Sequence, residues 1–169
     1  MDLNGDRTLD LAITNGGLQS VTLSLNDGTG VFTAAPAIVP GGTSSAIAAG
    51  DFDNNGTIDL AVSGTVPVVG LGVSIFLNNG DATFSAPAAV SIGMSASALV
   101  TSDLDGDGDL DLACVGWLND SVVILLNNGH GVFTKGTPVN VGIGARDIDA
   151  GDLDGDGKTD LVVADCENS

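Results

Sequence analysis

The chain has 169 residues, 43% of them hydrophobic, and 22 acidic side chains against four basic ones, for a net charge of −18. A chain of this length and apolar content can bury a core as one domain, so its low charged fraction does not mean disorder. The excess acidity, with no basic patch, excludes a nucleic-acid surface, and no stretch is long and apolar enough for membrane insertion.

In chain order, the first feature is an acidic run, Asp2-Leu-Asn4-Gly-Asp6-Arg7-Thr8-Leu-Asp10. Oxygen-bearing side chains occupy positions 1, 3, 5 and 9 of this nine-residue loop. Met1 stands where Gly50 and Gly151 precede later copies, as expected of a piece of a longer repeat array. A hairpin follows at Leu25-Asn-Asp-Gly28, then Phe32. The second period is the fullest. Ser45–Gly50 is a predicted strand of small residues, and Asp51-Phe-Asp53-Asn-Asn55-Gly56-Thr57-Ile-Asp59 repeats the acidic run. Asp59–Val62 leaves it as a buried strand. A Gly/Ser/Pro-rich connection, Ser63–Gly70, leads to an alternating strand, Gly72–Leu77. Asn78-Asn79-Gly80 reads as a hairpin turn, because Asn and Gly accept positive φ. Thr83–Val90 is the predicted fourth strand, its Pro87 suited to a sheet edge.

The third period carries Asp103-Leu-Asp105-Gly-Asp107-Gly108-Asp109-Leu-Asp111, a hairpin at Leu126–Gly129, and Phe133. The fourth carries Asp152-Leu-Asp154-Gly-Asp156-Gly157-Lys158-Thr-Asp160. The runs begin 49, 52 and 49 residues apart, which divides a single array into repeats of approximately 1–44, 45–95, 96–144 and 145–169. Four antiparallel strands per roughly 50 residues is the size of a propeller blade. The predicted fold is therefore all-β, a β-propeller-type repeat array of about three four-stranded blade equivalents. The first blade lacks its innermost strand and the last has only two strands, so open edges are expected to drive self-association into a ring or filament. Phe32, Phe84 and Phe133, at one repeat position, are expected in the core between repeats.

Crowded carboxylates need a cation, and an irregular all-oxygen cage favours Ca2+ over Mg2+. About three to four Ca2+ ions per chain are expected. A helix-loop-helix calcium site would need Glu at position 12, where Ile13, Val62, Cys114 and Val163 stand instead. Position 9 is Asp throughout, so the loop is a shorter cage closing onto a strand. Position 7 (Thr8, Thr57, Asp109, Lys158) is assigned a backbone carbonyl, and glycine at position 6 the sharp turn. No base or nucleophile stands beside the loops, so the ions read as structural and the chain as no enzyme. His130 is expected in a surface turn, and Cys114 and Cys166 as unpaired thiols.

The repeat, a small strand, then Gly-Asp-Phe/Leu-Asp-x-Asp/Asn-Gly-x-x-Asp-Leu and Leu-Asn-Asn-Gly-x-x-x-Phe, resembles the FG-GAP/VCBS repeat of integrin α-subunit-type propellers. The resemblance covers nearly the whole chain. It implies a seven-bladed propeller in full-length relatives, with Ca2+ between the first and second strands of a blade. It also implies an extracellular or cell-surface place, in adhesion receptors, lectins or appendages of larger secreted enzymes. Arg7, where the motif has glycine, departs from the pattern.

The connections opposite the acidic loops (Thr14–Ser20, Ser63–Gly70, Val115–Ser121, with Pro40–Ser45, Ser91–Ser97 and Gly142–Arg146) vary between repeats, as binding loops on a rigid frame do. Trp117 with Asn119 and Asp120 reads either as a platform for a sugar or as a Trp filling a gap between blades. The expected roles are extracellular adhesion or binding of a protein or glycan ligand, a structural assembly unit, or an enzyme's non-catalytic appendage.

Overall fold

A computed structural model describes residues 1–116 and 119–166. The described residues form fourteen strands and no helix, so none is long and apolar enough to cross a membrane. The strands fall into four antiparallel sheets. The first is β1 (Leu11–Asn15), β2 (Ser20–Asn26) and β3 (Phe32–Ile38). The second runs β4 (Ser44–Gly50), β5 (Asp59–Val66), β6 (Gly70–Phe76) and β7 (Ala88–Ser91). The third runs β8 (Ala98–Ser102), β9 (Asp111–Gly116), β10 (Ser121–Asn127) and β11 (Phe133–Lys135), with β12 (Val139–Asn140) also on β10. The last is β13 (Ala145–Gly151) with β14 (Asp160–Asp165). This is the all-β, propeller-type array expected, a blade without its first strand, two whole blades, and the two inner strands of a fourth. The inner strands β4, β8 and β13 contact one another in sequence. Small side chains such as Ala46, Ala48 and Ala49 allow that convergence.

Period-two alternation gives each sheet two apolar faces, and the cores lie between blades. Leu3, Val21 and Leu23 meet Leu60, Val62 and Phe76 between blades 1 and 2. Phe52, Val73 and Ile75 meet Leu112, Cys114, Val123 and Leu125 between blades 2 and 3. Ala113, Val115 and Val122 meet Ala145 and Ile148 between blades 3 and 4. The first three acidic runs thus send their second residues, Leu3, Phe52 and Leu104, into the following blade.

The structure corrects three sequence expectations. The connection Ser63–Gly70 is mostly ladder, since β5 and β6 pair as far as Val66 and Gly70. Gly64 permits this, because a Cβ there would overlap the carbonyl oxygen of Thr43. The predicted strand Thr83–Val90 is broken: Phe84 makes a lone bridge to Asn78, and β7 begins after Pro87. Pro138 likewise stands between β11 and β12, as a missing backbone donor dictates. Finally, Phe32 is not in a core. Phe133 packs edge-on against Phe52, with ring centroids 5.4 Å apart, and Phe84 packs on the cluster around Leu3. Phe32 is 45% exposed, because no described residue lies behind the first blade to cover it.

Candidate metal centre

Three acidic runs link an inner strand to the next and the first leads into β1, and the backbone of each is bent around its own side chains. The first-position carboxylate accepts two backbone N–H groups. Asp2 takes those of Gly5 and Arg7, Asp51 those of Asn55 and Gly56, Asp103 those of Gly106 and Gly108, and Asp152 those of Gly155 and Gly157. The third-position oxygens of Asn4, Asp53, Asp105 and Asp154 accept the N–H two residues on. The fifth-position oxygens of Asp6, Asn55, Asp107 and Asp156 do the same. The turn needs positive φ twice. Position 6 was legible as glycine, but position 4 shares the requirement and holds Gly5, Asn54, Gly106 and Gly155. Arg7 adopts φ 69° where Gly56, Gly108 and Gly157 stand in the other loops, so the first loop keeps the turn at a steric cost. Replacing Arg7 with Gly is expected to stabilise the protein by about 0.5–1 kcal/mol, read by denaturant unfolding.

The ninth-position Asp is the anchor. One oxygen of Asp59 accepts the N–H of Phe52 (2.8 Å) and the other that of Asn78 on the hairpin after β6 (2.7 Å). Asp111 binds Leu104 and Asn127 in the same way, and Asp10 binds Leu3 and Asn26. Asp160 binds Leu153. Asp59 and Asp111 are fully buried, and burial pushes both carboxyls above the usual range despite these bonds. The exposed Asp152 is held below it by the N–H groups of Gly157 and Gly155.

Three sets of carboxylates converge: Asp51, Asp53 and Asp59; Asp103, Asp105 and Asp111; Asp152, Asp154 and Asp160. Within each set the ligand oxygens lie within 4.8 Å of one another. Oxygens bound at about 2.3–2.6 Å to one Ca2+ sit no more than roughly 5 Å apart, so each set fits a single such ion. The donors are all hard oxygen, and two of the sets include a carboxylate forced up in pKa by burial, which a cation would relieve. Asp107 and Asp156 are not in these sets. In the first loop Asn4 replaces the third-position carboxylate, and its amide donates to Asp6.

Position 7 side chains tie the loops to their surroundings, which explains their variety. Thr8 and Thr57 donate to the carbonyls of Asn26 and Asn78. Asp109 accepts from Asn54 of the preceding blade, and Lys158 pairs with Asp156 at 3.3 Å. The hairpin asparagines do more than turn the chain. Asn78 Nδ2 donates to Leu3 O of the preceding blade and to Ile58 O of its own. Asn127 Nδ2 does the same with Phe52 O and Leu110 O. The sequence signal is their recurrence in Leu-Asn-x-Gly, which turn propensity alone also explains.

Of the proposed sugar-binding group, Trp117 lies outside the described residues. Asp120 accepts the N–H of Gly144 and so braces the connection to blade 4, while Asn119 N–H closes a turn onto Gly116. Cys114 is buried, its thiol pushed up to about 12 by desolvation, and Cys166 is exposed; both are free.

The family model of the FG-GAP-like repeat matches residues 2–62, 68–114 and 103–163. No curated protein matched the chain. Among solved structures, a lectin from Agrocybe aegerita, described as specifically recognising non-reducing terminal N-acetylglucosamine, is similar. Its TM-score is 0.62 at 24% sequence identity, over 96% of this chain and 44% of the lectin. The likeness at that identity is one of fold, and the chain spans less than half of the lectin's length. The matched segments span the four acidic runs, two of the four sheets fully and most of the other two, and the chain belongs to the FG-GAP-like repeat family.

Proposed function

We propose that this chain is a calcium-stabilised propeller-repeat module that binds a protein or glycan ligand, in adhesion or recognition outside the cell or at its surface. The observation that carries the calcium reading is the convergence of three carboxylates in each of three loops, with one of the three buried in two of them. In this reading the ions are structural. They fix the turn that delivers Leu3, Phe52 and Leu104 to the next blade, and they take no part in catalysis. Glycan binding draws support from the lectin of similar fold. Ca2+ is expected to raise the melting midpoint by at least about 5 °C over chelator, and Mg2+ by far less, because a cage of loosely arranged oxygens suits the larger ion. Equal shifts from both ions, or none, would remove the calcium reading. A glycan array that includes terminal N-acetylglucosamine tests the ligand class.

A second reading, a self-assembling unit, is favoured by Leu11, Ile13 and Phe32 exposed together on the uncovered side of blade 1, with Leu153 exposed on blade 4. Sedimentation at micromolar concentration separates the two: a stable monomer removes the assembly unit.

A further inference from the structure

At the end of the blades opposite the acidic loops, the β5–β6 hairpin and the connection from β3 to β4 border a groove of about 370 Å3. That volume lies in the range of ligand sites, roughly 300–1,000 Å3. Its walls include Val39, Pro40, Val66, Val69, Pro87 and Ala89. Ser74, fully buried, forms part of its lining, and Ser74 Oγ has no hydrogen-bond partner among the described residues. A buried hydroxyl without a partner is uncommon and calls for an explanation, and a group bound in the groove would supply one. At the rim, Val68 is fully exposed and held at φ 74°, a region a β-branched residue rarely enters and one that clusters at functional loops.

The next repeat indicates what belongs in the groove. The connections between blades align on glycines with positive φ, Gly41, Gly93 and Gly142. Around them the chain reads Pro40-Gly41-Gly42, Ile92-Gly93-Met94 and Val141-Gly142-Ile143. Ile92 and Met94 are both buried in the core between blades 2 and 3, together with Val123, the residue in register with Ser74. Between blades 1 and 2 the same three positions hold Pro40, Gly42 and Ser74. The aliphatic volume that closes one interface is absent from the other. Gly42 cannot take it on, because a Cβ there would overlap the carbonyl oxygen of Thr65.

We propose that this groove docks an aliphatic side chain of an extended partner peptide, of the Ile-Gly-Met type, whose main chain satisfies Ser74 Oγ. The described lining has neither the aromatic face nor the several polar groups that a sugar ring requires, so a peptide is the occupant it fits. The proposal deepens the reading of the chain as a binding module by naming a partner class. It does not use the acidic loops: along β5, Asp59 lies about 10 Å from Val62, the register partner of Ser74, and about 20 Å from the rim at Val66.

The test is a titration of the methyl-labelled full chain, in Ca2+, with a blocked synthetic peptide copying residues 91–95. Saturable shifts at the methyls of Val39, Val66 and Val69 are expected. Ala89→Trp, which fills the groove from an exposed position, should weaken binding by about tenfold or more, and Ser74→Ala by a smaller factor. A peptide with serine in place of Ile and Met should be silent. No saturable shift up to about 5 mM peptide in a well-folded sample would overturn the proposal. So would shifts at these methyls from N-acetylglucosamine alone, an outcome that rejects peptide docking while sustaining the glycan branch of the module's function.

Discussion

Asp59→Ala is expected to lower the melting midpoint by about 5–15 °C whether calcium is present or chelated, whereas Asp53→Ala should be close to silent in chelator. Both residues belong to the same carboxylate set, so a pure metal-ligand account predicts the same behaviour for both. Their backbone roles differ. Asp59 accepts two buried N–H groups, one from Phe52 in the loop and one from Asn78 on the hairpin, and its removal orphans both. Each orphaned donor costs about 1–3 kcal/mol. Relief of a carboxylate disfavoured by burial offsets part of this, leaving a net loss of roughly 2–4 kcal/mol. Asp53 accepts only the N–H of Asn55, at 3.2 Å, in an exposed loop. In the calcium reading proposed above its contribution is to the ion, and Asp53→Ala should abolish most of that loop's calcium-dependent gain. Thermal melts of both variants with Ca2+ and with chelator decide the matter. Equal losses in chelator would mean that the ninth-position Asp is a ligand and nothing more.

That double duty explains which parts of the protein could be read from sequence. The acidic runs were legible because a turn bent around oxygen-bearing side chains at positions 1, 3, 5 and 9 imposes identity on residues close in sequence. Strand alternation and the Leu-Asn-x-Gly hairpins were legible for the same reason. Contacts between blades were not. Asn78 and Leu3 lie 75 residues apart, as do Asn127 and Phe52, and nothing within one repeat marks such a bond. Phe32 shows the converse error. It repeats the position of Phe84 and Phe133, but burial at that position is conferred by the preceding repeat's loop, and no described residue supplies one for blade 1. Pro87 was read correctly as an edge residue, yet its missing donor divides the strand, because the chain can rejoin β6 only after passing it.

The bond between blades leads to the second large effect. Asn127→Ala is expected to destabilise the protein by about 2–3 kcal/mol, and Asn26→Ala by about 0.5 kcal/mol, although both occupy the same place in the hairpin motif. Asn127 Nδ2 bridges two carbonyls, Phe52 O at 2.8 Å in the preceding blade and Leu110 O at 3.1 Å in its own. Truncation removes both buried bonds at once, and no other side chain stands ready to replace a donor aimed at two acceptors. Asn26 Nδ2 donates to Leu9 O alone, at 3.3 Å and exposed, because no described loop lies behind blade 1; its Oδ1 accepts the exposed N–H groups of Gly28 and Gly30, bonds that water replaces. Turn propensity alone would make the two substitutions equivalent. Hydrogen exchange gives a readout specific to the interface: the N–H of Gly131 donates to Phe52 O across the same blade boundary, and it should lose protection in Asn127→Ala beyond the loss in global stability. Asn127→Asp should be at least as damaging, since it removes the donor and turns a carboxylate toward two carbonyl oxygens. Equal destabilisation by Asn26→Ala and Asn127→Ala, with Gly131 protection falling only in step with global stability, would reduce these asparagines to turn formers and leave apolar packing as the sole tie between blades.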